Sequence, residues 1–123
     1  MDNGLVIDHV LLEVADAERS GVFYDAVFFA LGGRRMAAHE GSVAWGTDEP
    51  VLELAVRGES PRGSGHVALR AAGKAAVDAA YVAGLRAGGT GDGPPGPRPR
   101  QGLRGYGAAL RDPDGLRVEL VSR

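Results

Sequence analysis

The apolar positions along this chain follow two periods, which predict strands alternating with helices. Residues 5–14 are rich in Val, Ile and Leu and predict a buried strand. Asp16 is a predicted N-cap, and apolar residues then recur at helical spacing as far as paired glycines at 32 and 33, which predicts a helix over 17–31. Three short extended pieces follow and predict a meander; they cover residues 34–38, 42–45 and 51–56.

The second half begins in the same way and then changes character. Residues 66–71 predict a strand, and residues 74–87 predict a helix that again ends in paired glycine. Residues 91–105 contain four prolines and several glycines, so we predict a long loop, or an edge strand broken by one, that forms a lid or pocket wall. Residues 106–111 and 116–121 predict a hairpin around an Asp-Pro-Asp-Gly turn.

The chain contains an internal duplication. Aligning His9 with His66 also matches Ala15 with Ala72 and Tyr24 with Tyr81, and one deletion then matches the paired glycines. Both copies therefore predict the same βαβββ unit. We expect one α+β domain over residues 1–123, with module one at about 5–57 and module two at about 65–122.

Strand alternation places four polar residues on equivalent faces of the two modules. In each module the alternate apolar residues of the first and last strands face the helix. The residues between them are His9 and Glu53 in module one, and His66 and Glu119 in module two. If the face that carries them curls into a cup, two imidazoles and two carboxylates can converge on one metal ion.

Composition limits the chemistry of such a site. The chain has 123 residues, no Cys, and 14 basic against 16 acidic residues, for a formal charge of −2. Without Cys, a metal must be held by nitrogen and oxygen, which suits Ni, Co, Fe, Mn or Zn. The charge argues against nucleic acid as a partner, and residues 22–31 are too short an apolar stretch to span a membrane. With no export signal at the start, we expect a cytoplasmic protein.

Several segments resemble the vicinal oxygen chelate superfamily, which includes glyoxalase I, bleomycin-resistance proteins and extradiol dioxygenases. The segments are Ile7-Asp8-His9-Val10, Phe23-Tyr24, Gly65-His66-Val67-Ala68-Leu69 and residues 111–120. The resemblance implies paired βαβββ modules that form a curled mixed sheet, or cup, with helices on its outer face, in a homodimer. It also implies that His9, Glu53, His66 and Glu119 match the four metal ligands of glyoxalase I.

Three functions follow from this resemblance and stay open on the sequence. The first is a divalent-metal-dependent lyase or isomerase that chelates a small substrate through vicinal oxygens, with Glu53 or Glu119 as general base. The second is a ring-cleaving dioxygenase, for which ferrous iron on His9, His66 and Glu119 would suffice. The third is a metal-free protein that sequesters an antibiotic or another small molecule.

Five further residues are candidates for substrate binding. Arginine forks suit planar anions, although charged loop residues also serve solubility alone. A tyrosine can donate a hydrogen bond inside a cup or simply contribute to packing, and an indole outside the predicted helices can line a pocket. The candidates are Trp45, Arg98, Arg100, Arg104 and Tyr106.

Overall fold

The residues that the structure describes form eight strands and two helices, in the order expected of a duplicated unit. The computed structural model describes residues 7–37, 43–56 and 66–123. Module one contains β1 (Val10–Val14), α1 (Ala17–Ala30), β2 (Arg34–Met36), β3 (Val43–Gly46) and β4 (Pro50–Val56). Module two contains β5 (His66–Arg70), α2 (Lys74–Arg86), β6 (Thr90–Pro97), a 3₁₀ turn (Pro99–Gln101), β7 (Tyr106–Arg111) and β8 (Arg117–Ser122).

Each module builds one four-stranded mixed sheet with the same topology. The strand orders are β1-β4-β3-β2 and β5-β8-β7-β6. In both sheets the first and last strands of the module pair in parallel, and the other pairs are antiparallel. The register is also shared, since Leu11 lies opposite Glu53 and Ala68 lies opposite Glu119. The predicted α+β fold with two βαβββ modules is confirmed.

Residues next to the helix ends determine where α1 begins and ends, and both helices pack on the buried faces of the sheets. The Asp16 side chain accepts hydrogen bonds from the backbone N–H groups of Glu18 and Arg19, which caps α1. Gly32 follows the end of α1 with φ at +91°, a backbone conformation that would be strained for any residue with a side chain. Each helix contacts the sheet of its own module, and the two helices contact each other. No described helix is long and apolar enough to cross a membrane.

One hydrophobic core joins the two modules. Its largest fully buried side chains include Trp45 and Leu52 from module one and Leu110 and Leu120 from module two. The hydroxyl of Tyr24 on α1 also reaches across and donates a buried hydrogen bond of 2.6 Å to Asp112 in the β7–β8 turn. The helix-facing side of each sheet is therefore filled, which leaves the opposite faces for chemistry.

The proline-rich segment takes the second of its two predicted forms. Residues 90–97 make β6, which lies at the edge of its sheet and pairs with β7 through two irregularities in register. Proline has no backbone N–H to donate to a neighbouring strand. It is therefore accepted mainly in edge strands, where one side of the strand has no partner. The 3₁₀ turn then carries the chain over the uncovered face of the sheet.

Candidate functional site

His9 and Glu53 form a pair on the uncovered face of module one. His9 immediately precedes β1, and Glu53 lies in the adjacent parallel strand β4. The distance from His9 Nε2 to Glu53 Oε2 is 3.3 Å, and Glu53 is only 5% exposed. A carboxylate buried to this degree requires a cation or hydrogen-bond donors around it.

The other nitrogen of His9 is also engaged. Its Nδ1 lies 2.9 Å from Oδ1 of the exposed Asp8. The hydrogen bond with Asp8 raises the pKa of His9, partial burial opposes the rise, and the negative charge of Glu53 adds to it. With Nδ1 directed at one carboxylate, Nε2 is the atom left to face Glu53, as in histidines that bind metals with a carboxylate behind them.

The equivalent pair in module two is His66 and Glu119. His66 Nε2 lies 3.8 Å from Glu119 Oε1, while Glu119 Oε2 accepts a hydrogen bond of 3.1 Å from Arg117 Nε. Arg117 also donates to Asp92 on the edge strand β6. The hydrogen bond to Glu119 raises the pKa of Arg117, partial burial opposes the rise, and the contact with Asp92 adds to it.

The donor sets of both pairs fit a divalent ion. Two ligands in neighbouring positions, each about 2.1 Å from an ion, lie about 3.0 Å apart in octahedral geometry and about 3.4 Å apart in tetrahedral geometry. The nitrogen–oxygen distances of 3.3 and 3.8 Å are close to these values. Within residues 7–37, 43–56 and 66–123, however, no three His, Cys, Asp or Glu side chains are grouped to hold one ion. One chain therefore offers two pairs of ligands.

A cavity of about 320 Å³ adjoins Glu119 on the uncovered face of module two. Its floor comes from β7 and β8, and its wall comes from the start of the 3₁₀ turn. The charged lining residues are Arg98, Arg100, Arg117 and Glu119. Arg98 and Arg100 thus lie where a bound small molecule would meet them, and the proline-rich segment supplies part of a pocket wall.

Two of the predicted substrate-binding residues, Trp45 and Tyr106, lie on the helix side of their sheets and do not line the cavity beside Glu119. Trp45 is 0% exposed because its side chain points from β3 toward α1. There the indole ring stacks on Phe28 and its N–H donates a hydrogen bond to Asp25. Tyr106 also faces the helix side, where its hydroxyl donates to Asp78 of α2 at 2.6 Å. That hydrogen bond raises the pKa of Tyr106, and desolvation adds to the rise. Arg104 is exposed and does not line the cavity described above.

Sequence reasoning missed Arg117 and Asp92. Arg117 lies two residues before Glu119 in one strand, so strand alternation puts both on one face, and that signal was available. Asp92 stands in the proline-rich segment, whose strand register cannot be derived from its composition. Only the observed pairing of β6 with β7 brings Asp92 near Arg117 and Arg111.

Comparison with known proteins agrees with this fold. The profile of the Glyoxalase/Bleomycin resistance protein/Dioxygenase superfamily matches residues 6–120. A glyoxalase/bleomycin resistance protein from Albidiferax ferrireducens T118 is 30% identical, with a TM-score of 0.81, and the match covers 94% of this chain and 97% of that one. A search of curated proteins found no match.

Two more distant structures share the fold. A lactoylglutathione lyase from Agrobacterium tumefaciens is 23% identical with a TM-score of 0.69, over 98% of this chain and 96% of that one. The fosfomycin resistance protein FosX from Mesorhizobium loti is also 23% identical with a TM-score of 0.70, over 100% and 94% of the two chains. Given the family match over most of its length, the chain belongs to the glyoxalase/bleomycin resistance protein/dioxygenase superfamily.

Proposed function

We propose that this protein is a divalent-metal-dependent lyase or isomerase of the glyoxalase type, which acts on a small substrate chelated through vicinal oxygens. The observation that carries the proposal is the presence of two equivalent His–Glu pairs, His9 with Glu53 and His66 with Glu119. Together they offer two imidazole nitrogens and two carboxylates, a donor set that Ni, Co, Fe, Mn and Zn accept. These four residues would hold the ion, and the substrate would bind to it through two adjacent oxygens.

We further propose that the site is completed in a homodimer. One pair would come from module one of a subunit and the other from module two of its partner, so that a two-fold axis generates two equivalent sites. The exposure of Leu11 and Val51, at 53% and 43%, supports this assembly. Strand alternation puts Leu11 on the face of His9 and Val51 on the face of Glu53, where a second subunit would cover them.

We assign different roles in the proposed reaction to the residues of the site. A divalent ion held by these ligands supplies Lewis acidity to two adjacent oxygens of the substrate. Glu119 is our candidate for the general base, because it lines the cavity whereas Glu53 is nearly buried beside His9. Arg117 donates a hydrogen bond to Oε2 of Glu119 and holds the carboxylate in place. Oε1, when it is not bound to the ion, would take a proton from one substrate carbon and return it to the next.

The cavity lining favours this reaction over capture of an aromatic ring. No aromatic side chain is among the described residues that line the cavity beside Glu119. Flat-ring ligands are usually held by such side chains. Two classes of substrate should therefore be compared first: a methylglyoxal–thiol adduct and a panel of catechols. We expect the protein to isomerise the adduct and to leave the catechols unchanged.

Metal content tests the ligand assignment. We expect stoichiometric divalent metal in the wild-type protein after reconstitution with Ni, Co, Fe, Mn or Zn, and at least about tenfold weaker binding in His66→Ala and Glu119→Gln, since each removes one ligand. Glu49→Gln is the matched control, because Glu49 lies in an exposed turn. Equal metal affinity in all four proteins, measured by equilibrium dialysis and elemental analysis, would contradict the assignment.

Subunit mixing tests the shared site. A chain with His9→Ala and Glu53→Gln lacks one half of the site, and a chain with His66→Ala and Glu119→Gln lacks the other. Each homodimer would then lose both sites, whereas a mixed dimer would keep one intact site, so a refolded equimolar mixture should recover about a quarter of the wild-type metal. A site within one chain predicts no recovery, and that result would overturn the dimeric arrangement.

A further inference from the structure

The cavity beside Glu119 carries an excess of positive charge. Arg111 and Arg117 both pair with Asp92, and Arg117 also pairs with Glu119, so these four groups balance one another. No carboxylate among the described residues pairs with Arg98 or Arg100. Their two charges are left to attract an anion from solution.

Arg98 is held in place by its own segment. Its Nη2 donates to the carbonyl of Pro94 at 2.8 Å, its Nη1 donates to the carbonyl of Pro97 at 3.1 Å, and its backbone N–H donates to Gly105 at 2.8 Å. A guanidinium has five N–H groups, so three remain for a ligand. A side chain that is already fixed loses less conformational entropy when a ligand binds.

Glycines in β6 and β7 make room for this side chain. A Cβ on Gly93 would lie 3.4 Å from Nη2 of Arg98, one on Gly96 would lie 3.6 Å from Nη1, and one on Gly107 would lie 3.3 Å from Cγ. Side chains larger than a methyl group at these positions would occupy the space in which Arg98 lies. The absence of side chains at these glycines thus lets the guanidinium of Arg98 lie against the sheet at the cavity wall.

We infer that Arg98, with Arg100, forms a subsite for an anionic oxygen group and that the substrate carries a carboxylate, phosphonate or phosphate in addition to its vicinal oxygens. This inference rests on the proposed function, since Glu119 lines the same cavity. The volume of about 320 Å³ lies at the small end of ligand sites, so the substrate would be a small anionic compound. Arg98 would determine specificity by orienting the charged end of that compound.

Anion binding to the metal-free protein tests the subsite apart from the metal. The protein would be dialysed against EDTA and titrated at low ionic strength with inorganic phosphate and, separately, with succinate, by calorimetry and by NMR of the arginine Nε–H groups. The two arms distinguish a tetrahedral from a planar anion. We expect at least one anion to bind, and Arg98→Gln to weaken its binding about tenfold or more, because charge-assisted forked hydrogen bonds are lost.

Three further variants make the result specific. Arg98→Lys keeps the charge but loses the fork, so its affinity should fall between those of wild type and Arg98→Gln. Arg100→Gln should also weaken binding and serves as the test if Arg98→Gln fails to fold, as judged by circular dichroism. Arg86→Gln makes the same charge change at the end of α2, outside the cavity, and should bind like wild type.

The outcomes separate this inference from the proposed function. If neither anion binds the wild-type protein, or if Arg86→Gln loses as much affinity as Arg98→Gln, the subsite is wrong. Arg98→Gln should retain its divalent metal, because Arg98 is not a ligand. If the protein binds an anion through Arg98 but binds no divalent metal, the anion subsite is supported. The proposed metal-dependent lyase would then be wrong.

Discussion

At the scale of single residues, buried hydroxyl and carboxylate groups join parts of the chain that are distant in sequence. Tyr24 donates to Oδ2 of Asp112, while Oδ1 of Asp112 accepts from the backbone N–H groups of Asp114 and Leu116. Asp114 in turn accepts from Ser20 and Arg19 of α1. The turn of module two is thereby fixed to the helix of module one. Burial and the nearby carboxylate of Asp112 keep the pKa of Tyr24 far above its usual range, so the phenol stays a donor.

Tyr24→Phe should reduce the free energy of unfolding by about 1–3 kcal/mol, because Asp112 loses a buried donor while its other bonds remain. Urea titration measures the change. Tyr81→Phe is the matched control, since Tyr81 is the counterpart of Tyr24 in the duplication but is only half-buried. Equal losses in the two variants would show that the hydrogen bond to Asp112 adds no stability of its own.

Asp25 gives the fold a dependence on pH. Its carboxylate accepts two hydrogen bonds from Arg35 and one from Trp45. Partial burial alone would raise the pKa of Asp25, but the hydrogen bonds from Arg35 and Trp45 outweigh burial and hold it below the ordinary value of 3.8. Because the folded pKa is depressed, this stabilisation is present above pH 3.8 and is lost as pH falls through the folded pKa.

Asp25→Asn should therefore unfold more readily than wild type near neutral pH, and the difference should shrink in acid. The measurement is the free energy of unfolding in urea for both proteins between about pH 6 and pH 3. Protonated Asp25 resembles Asn, so the difference shrinks as pH falls below 3.8 towards the folded pKa of Asp25. A difference that stays constant over this range would contradict the role of the Asp25 charge.

At the scale of elements, the two modules differ where their helices begin. Asp16 caps α1 with its side chain, whereas Gly73, its counterpart in the duplication, gives α2 no side-chain hydrogen bond. The space around Gly73 is open, since a Cβ built there meets no atom within 4 Å. The duplicated unit keeps both helices, and only one retains its polar cap.

Asp16→Ala should destabilise the protein by about 1 kcal/mol, because two backbone N–H groups lose their acceptor. Gly73→Asp should do the reverse and add a few tenths of a kcal/mol, helped by the favourable position of a negative charge at a helix N-terminus. Thermal and urea unfolding of both variants against wild type measure these shifts. A gain from Asp16→Ala, or a loss from Gly73→Asp, would be inconsistent with capping by these residues.

At the scale of the whole molecule, one core faces inward and two ligand pairs face away from it. The helices fill the inner face of both sheets, so His9–Glu53 and His66–Glu119 lie on faces that no described helix covers. Edge strands and exposed apolar residues on such a face favour a second subunit as cover. This arrangement is why we propose that the metal site is completed in a homodimer.

The sequence by itself determined the repeating unit, its helix and strand order, and the face on which each of the four predicted ligands lies. Those properties follow from apolar periods of two and 3.6 residues, which act over a few neighbours. It also predicted that residues 91–105, which contain Arg98, Arg100 and Arg104, form a lid or pocket wall, because prolines exclude the segment from a helix and from a sheet interior. Of these arginines, Arg98 and Arg100 line the cavity.

Only the tertiary structure decided which side chains meet across the chain. Trp45 became a core residue because its strand turns that position toward α1, and Tyr106 was drawn to Asp78 of α2. The pairing of Asp92 with Arg117 depends on the bulged register of β6. Such contacts join residues far apart in sequence, so they depend on how strands and helices pack, and no local period encodes them.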